Sequence, residues 1–131
     1  MLNYPAKILI AFGETIKGND EILMWLFRNG YPELAALSRS IRGSREAFEF
    51  LLKNHVRLAA LDAAIDNDAK AYLWLRKHGH DFDLIFADAC RAKPAAIAWL
   101  RDRKLDAFIA LAARIHHFRE NQFFSVYKKR F

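Results

Sequence analysis

An all-α fold, an α-α superhelix (solenoid) of about four and a half stacked two-helix hairpins, is what this sequence predicts, on three observations. A large apolar residue followed by leucine returns as Trp25-Leu26, Phe50-Leu51, Trp74-Leu75 and Trp99-Leu100, at intervals of 25, 24 and 25 residues. Ahead of the first three pairs a helix-stopping residue is followed by a helix-starting one: Gly18-Asn19, Gly43-Ser44 and Asn67-Asp68. Upstream of each stop lies a short apolar stretch at helical spacing, such as Leu34, Leu37, Ile41 and Leu58, Leu61, Ile65. Self-similarity at a fixed period of this length marks units that cannot bury their apolar stripe alone and do so by stacking.

Each element follows in order. The chain opens with a half unit, Tyr4 to Ile16, whose helix runs from Leu9 to Ile16. Gly18 tolerates the left-handed conformation of a helix C-terminus, and Asn19 can cap the next helix, which carries Trp25. A looser loop, Arg28 to Pro32, leads to the helix Leu34–Ile41. Gly43 and Ser44 repeat the punctuation before the helix Glu46–Lys53. Lys53-Asn54-His55-Val56 is the second loose loop, where the change from 25 to 24 residues is absorbed. Leu58–Ile65, the pair Asn67-Asp68 and the Trp74 helix come next, then the loop Lys77 to His80, the helix Leu84–Cys90, and Pro94 in the first turn of the Trp99 helix. Leu105–Ile115 closes the row. The units are expected at residues 4–25, 26–50, 51–74, 75–99 and 100–115 of one domain spanning 1–131, with a cap or tail at 116–131. The Trp/Phe-Leu column is read as core, and the alanines at 35, 36, 59, 60, 63, 64, 95, 96 and 98 as sites of close approach between hairpins.

Gly18, Glu21, Trp25-Leu26-Phe27 and Gly30 stand at the offsets of the second half of an ankyrin repeat. Gly43, Glu46 and Phe50-Leu51-Leu52 reproduce most of them, with His55 in the place of the last glycine, and Pro32-Glu33-Leu34-Ala35-Ala36 is similar to the ankyrin first helix. Residues 4–115 therefore resemble an ankyrin-like helical-hairpin repeat protein. The unit is shorter than the roughly 33 residues of an ankyrin repeat by about eight, which leaves little room for the β-hairpin finger. The threonine-proline-leucine-histidine signature is absent. The resemblance implies a protein-interaction scaffold.

Composition narrows the function classes. One cysteine, Cys90, makes an intrachain disulfide impossible and points to a reducing compartment. The apolar run Ile8–Phe12 is too short to span a bilayer and lacks a signal-peptide cleavage pattern, so the expectation is a soluble cytoplasmic protein without membrane contact. The net charge of +6 is uneven: residues 1–100 hold 13 Lys+Arg against 12 Asp+Glu, and residues 101–131 hold 8 against 3. The basic character belongs to the C-terminal end.

No catalytic constellation is visible, and no cofactor is expected. His78-Gly79-His80 with Asp81 and Asp83, or His116-His117, lacks the compact spacing of a metal site and reads as solvated loop. Cys90 takes the position of Ile16, Ile41 and Ile65, so it reads as a small buried apolar residue rather than a nucleophile. Trp25, Trp74 and Trp99 read as packing before they read as a stacking platform. Asp62, Asp66, Asp68 and Asp88 read as helix-surface and capping acids rather than a general acid/base pair. The tail, with Phe123, Phe124 and Tyr127 interleaved with Lys128, Lys129 and Arg130, reads as an aromatic cap over the last hairpin, a partner-binding tail, or a nucleic-acid contact.

The expectation is a non-enzymatic module that binds another protein or a second copy of itself. Its candidate contact residues are Tyr31, Arg57, His78, His80, Arg101 and Arg103. The alternative is a nucleic-acid-binding helical repeat using Arg101, Arg103, Lys104, Arg114, Arg119, Lys128, Lys129 and Arg130, which requires those side chains to share one face.

Overall fold

A computed structural model describes residues 1–121 and 131 of the chain. Among them are nine helices and no strand: α1 (Ala6–Ile16), α2 (Asp20–Arg28), α3 (Pro32–Ile41), α4 (Arg45–Asn54), α5 (Val56–Ile65), α6 (Ala69–Lys77), α7 (Asp81–Cys90), α8 (Pro94–Asp102) and α9 (Asp106–Glu120).

The two kinds of connection are built differently. Each turn leading into α2, α4, α6 and α8 has three residues, and all four close with the same pair of backbone bonds. The residue with positive φ (Gly18, Gly43, Asn67 or Ala92) donates its N–H three residues back, and its successor donates five residues back. That is a Schellman closure, which satisfies carbonyls a helix end leaves open. Asn19, Ser44 and Asp68 then accept a hydrogen bond from the amide three residues on, at 3.1, 3.2 and 2.9 Å. Pro94 occupies the first turn of α8. At the opposite end the starts of α3, α5, α7 and α9 (Tyr31, His55, His80, Leu105) have no side-chain cap bond. There the connection shrinks to the single residue His55 between α4 and α5, which is where the shorter interval arises.

The odd-numbered helices form an inner layer and the even-numbered ones an outer layer. Inner neighbours pack in the order α1, α3, α5, α7, α9, and α9 packs back on α1, so the row of hairpins closes on itself. This differs from an open, quasi-one-dimensional row. Ion pairs tie the closure at both ends of the inner layer. Arg114 on α9 reaches Glu14 on α1 at 2.9 Å, Arg119 reaches Asp66 at 2.8 Å and the Ile65 carbonyl, and Arg57 on α5 holds Asp83 on α7 at 2.7 Å. The Met1 amino group lies 3.9 Å from the same buried Asp83.

Burial follows from this layering. On α5 every residue from Leu58 to Ile65 is buried, because neighbours cover it on all sides and four alanines (59, 60, 63, 64) permit close approach. Each outer helix contributes a narrow stripe instead: Leu26, Leu51, Leu75 and Leu100 are fully buried. Their aromatic predecessors are not. Successive residues on a helix point about 100° apart, so only one of each Trp/Phe-Leu pair can face inward. Trp25 and Phe50 are exposed, Trp74 and Trp99 are half-buried, and the core column is leucine rather than aromatic. Ala95 and Ala98 are also exposed and mediate no close packing, whereas Ala96 is buried. Asp62 is not a surface acid either. It is fully buried and accepts a hydrogen bond from the buried Ser40 hydroxyl, which links α3 to α5.

Cys90 is completely buried, and burial pushes its thiol far above the ordinary range. It packs as a small apolar residue at the end of α7.

Candidate interaction groove

The outer helix α2 carries six consecutive apolar residues, Ile22 to Phe27. Such a run covers the full circumference of a helix. A helix packed on one side only can bury one stripe of it, and here that stripe is Leu26. Ile22 and Leu23 are half-buried, and three side chains face outward: Met24 is 44% exposed, Trp25 42% and Phe27 58%. Across a gap stands Phe50 of α4, 42% exposed, and the floor between them is Ala35 and Ala36 of α3 with Ala47 of α4.

The result is a groove of about 410 Å³, walled by Met24, Phe27 and Phe50 and floored by alanine methyls. Pro32 closes one end, while Arg39 and Glu46 supply opposite charges. Its volume lies in the range of natural ligand-binding clefts. Contiguous exposed apolar surface with a polar rim marks a recognition site. Methionine and phenylalanine suit such a site, since the thioether adapts its shape to a partner.

The residues singled out from the sequence are distributed elsewhere. Tyr31 is half-buried and packs on Tyr4 with ring centroids 6.0 Å apart. The Tyr4 hydroxyl donates to Glu33 at 3.0 Å, and burial with that carboxylate raises its pKa strongly. Arg57 grips Asp83 through two nitrogens, at 2.7 and 3.3 Å. His78 stacks on Trp74 with centroids 4.1 Å apart, and His80 begins α7 beside the same indole. Arg103 lies over the Trp99 ring at 3.7 Å and bonds the Trp99 carbonyl at 3.2 Å. Arg101 is exposed near the end of α8, and Lys104 follows it in a left-handed turn.

Arg101, Arg103 and Lys104 thus stand at the end of the molecule where α9 begins. Arg114 and Arg119 are engaged by Glu14 and Asp66 farther along α9. Arg101, Arg103 and Lys104 are thus separated along α9 from Arg114 and Arg119. Lys128, Lys129 and Arg130, like most of the aromatic tail, lie outside the described residues. Phe131 is half-buried, edge-on to Trp74 at 5.7 Å, and its N–H donates to Asp68 at 3.4 Å.

Displaced protonation equilibria elsewhere have structural causes. Tyr72 is pushed up to about 12 by burial and by its hydrogen bond to Asp88. Glu14 is held down by the hydrogen bond from Arg114. Among the described residues no group of three or more His, Cys, Asp or Glu is gathered to hold a metal ion. No helix there is long and apolar enough to cross a membrane.

None of the chosen residues lines the groove. The signal for it was present in the run Ile22-Leu23-Met24-Trp25-Leu26-Phe27, which holds more apolar surface than one helix face can bury. A comparison of the chain with protein families, with curated proteins and with solved structures finds no match to any of them.

Proposed function

We propose that this chain is a non-enzymatic helical-repeat protein of ankyrin-like unit, acting in a cytoplasm, whose task is to hold another protein. The observation that carries this reading is the apolar groove between α2 and α4, with Met24, Phe27 and Phe50 left facing water. An amphipathic helix laid into such a groove buries its apolar face against side chains that already lack cover. The closing turns at Gly18 and Gly43 and the Asn19 and Ser44 caps fix the starts of α2 and α4, the two walls, which limits the ordering that binding must supply. The buried thiol of Cys90, the one cysteine of the sequence, agrees with a reducing compartment.

The experiment is capture of partners from native lysate by the tagged full-length protein, with and without nuclease. The reading expects a stoichiometric protein that survives nuclease. Material lost entirely on nuclease treatment overturns it in favour of nucleic-acid binding through the basic C-terminal end.

A further inference from the structure

The walls of the groove carry charge in a regular order. On α2, Glu21, Met24 and Arg28 stand three and then four residues apart, and on α4, Glu46, Phe50 and Lys53 stand four and then three apart. Such spacings set each trio along one line of its helix, and all six residues are exposed. The interval of 25 residues between the two helices puts Glu21 level with Glu46 and Arg28 level with Lys53. Asp20 adds an acid to the first level, Arg39 on the floor offsets one, and Arg45 and Glu49 pair with each other at 3.2 Å. The face is therefore acidic where α2 and α4 begin, apolar across the middle and basic where they end.

Helix dipoles favour acids at helix starts and bases at helix ends. They do not by themselves set this order, because α6 and α8 carry no acid in their first turns. At the equivalent places α6 has Lys70 and Lys77, and α8 has Ala95 and Asp102. The order stands where the outer aromatics are bare and is absent where His78, Arg103 and Phe131 cover them.

A surface acidic at one end and basic at the other complements itself when turned end for end. We propose that this face pairs with a second copy of the chain about a two-fold axis through the groove. The α2 helix of each copy then lies antiparallel over α4 of the other, with Glu21 opposite Lys53, Met24 opposite Phe50 and Arg28 opposite Glu46. One rotation brings all three pairs into register, each made twice, which is the isologous contact of a closed dimer. Met24, Trp25, Phe27 and Phe50, each of about 200 Å² and about half exposed, present about 400 Å² of side chain per copy. Two such faces remove about 800 Å² from water, the apolar share of a dimer interface of about 1,400 Å². The charged ends fix its orientation more than its strength. The inference rests on the groove as a recognition surface and names the occupant that covers it when no other protein does.

The test is sedimentation equilibrium of the full chain at about 100 µM, where an interface of this size holds a dimer. Zero-length carbodiimide coupling of mixed isotope-labelled and unlabelled protein should join Glu21 of one copy to Lys53 of the other, and this arm needs no variant. Glu21→Lys/Glu46→Lys and Arg28→Glu/Lys53→Glu each set like charges opposite one another, so each should dimerise about tenfold or more weakly with helix content unchanged. An equimolar mixture of the two should restore a dimer holding one copy of each, and added salt should weaken it. A monomeric wild-type chain overturns the self-pairing, and the groove reading stands without it if that monomer still captures another protein. Dimers of unchanged strength in both charge variants, a mixture that stays monomeric, or open-ended growth beyond the dimer overturn it as well.

Discussion

Four aromatic residues occupy equivalent positions on the four outer helices, yet they meet different fates. Trp74 is covered by the His78 ring at 4.1 Å and by the edge of Phe131 at 5.7 Å, and Trp99 by the Arg103 guanidinium at 3.7 Å. Among the described residues Trp25 has no such cover, and Phe50 has a tilted contact with His55 at 5.7 Å and no other ring contact. The α6–α8 side supplies its own lids from residues four positions along, His78 and Arg103, together with Phe131. The α2–α4 side leaves the equivalent surface open and adds Met24 and Phe27 to it. Identical placement in the scaffold therefore does not mean identical use. The side without lids is where a partner's side chains can take the same role.

The comparison requires a common scaffold beneath both sides, and the leucine column tests that first. Leu26→Ala and Leu75→Ala each remove a fully buried side chain. Each should cost about 2–5 kcal/mol in denaturant unfolding, with the two values similar. A large inequality would mean that the two sides rest on different cores.

The aromatics themselves should then separate. Trp74→Ala loses a half-buried ring with stacked and edge contacts, and about 2 kcal/mol of stability is expected to go with it. Trp25→Ala should change stability by about 1 kcal/mol or less. Equal losses measured by the same unfolding curves would erase the distinction between covered and bare positions. On a smaller scale, Arg103→Ala removes only the cation from Trp99, and about 0.5–1 kcal/mol is expected from thermal melts.

The weakest effect concerns His80 beside Trp74. Burial, and then the nearby Arg57 charge, lower its pKa from the ordinary value of 6.5. The unfolded chain accepts the proton first, so this contribution is complete above pH 6.5 and declines as pH falls through 6.5 toward the lowered value. Unfolding midpoints at pH 7.5 and 5.5 should show a small loss that His80→Gln reduces. A loss of the same size in that variant would assign the pH response to other groups.

Much of the frame was legible from residue types alone. Gly18, Gly43 and Asn67 are the types that tolerate positive φ, and Asn19, Ser44 and Asp68 are short polar side chains that reach the next helix's amides. Ala92 fills the same left-handed position without the usual residue type, at a cost of about 1–2 kcal/mol for an L residue with a Cβ. The leucine column is visible as a period, but adjacency in sequence does not place its aromatic neighbour in the core beside it. The 100° step between neighbours forbids that.

Closure of the row was not legible, because it depends on α9 meeting α1. The Glu14–Arg114 pair is 100 residues apart, and no local pattern encodes it. Buried Asp62 likewise needs Ser40, 22 residues away, to be understood as a core residue. The groove is assembled from three helices. What the sequence shows of it is a surplus, six apolar residues in a row on a helix with one inward stripe.

The most direct test of the account is partner capture by Phe27→Ser/Phe50→Ser beside the wild-type protein, with melting temperatures measured on both. The account predicts an unchanged fold, a melting temperature within a few degrees, and loss of the nuclease-resistant partner. Full retention of that partner by the folded variant would contradict it and move recognition away from the groove.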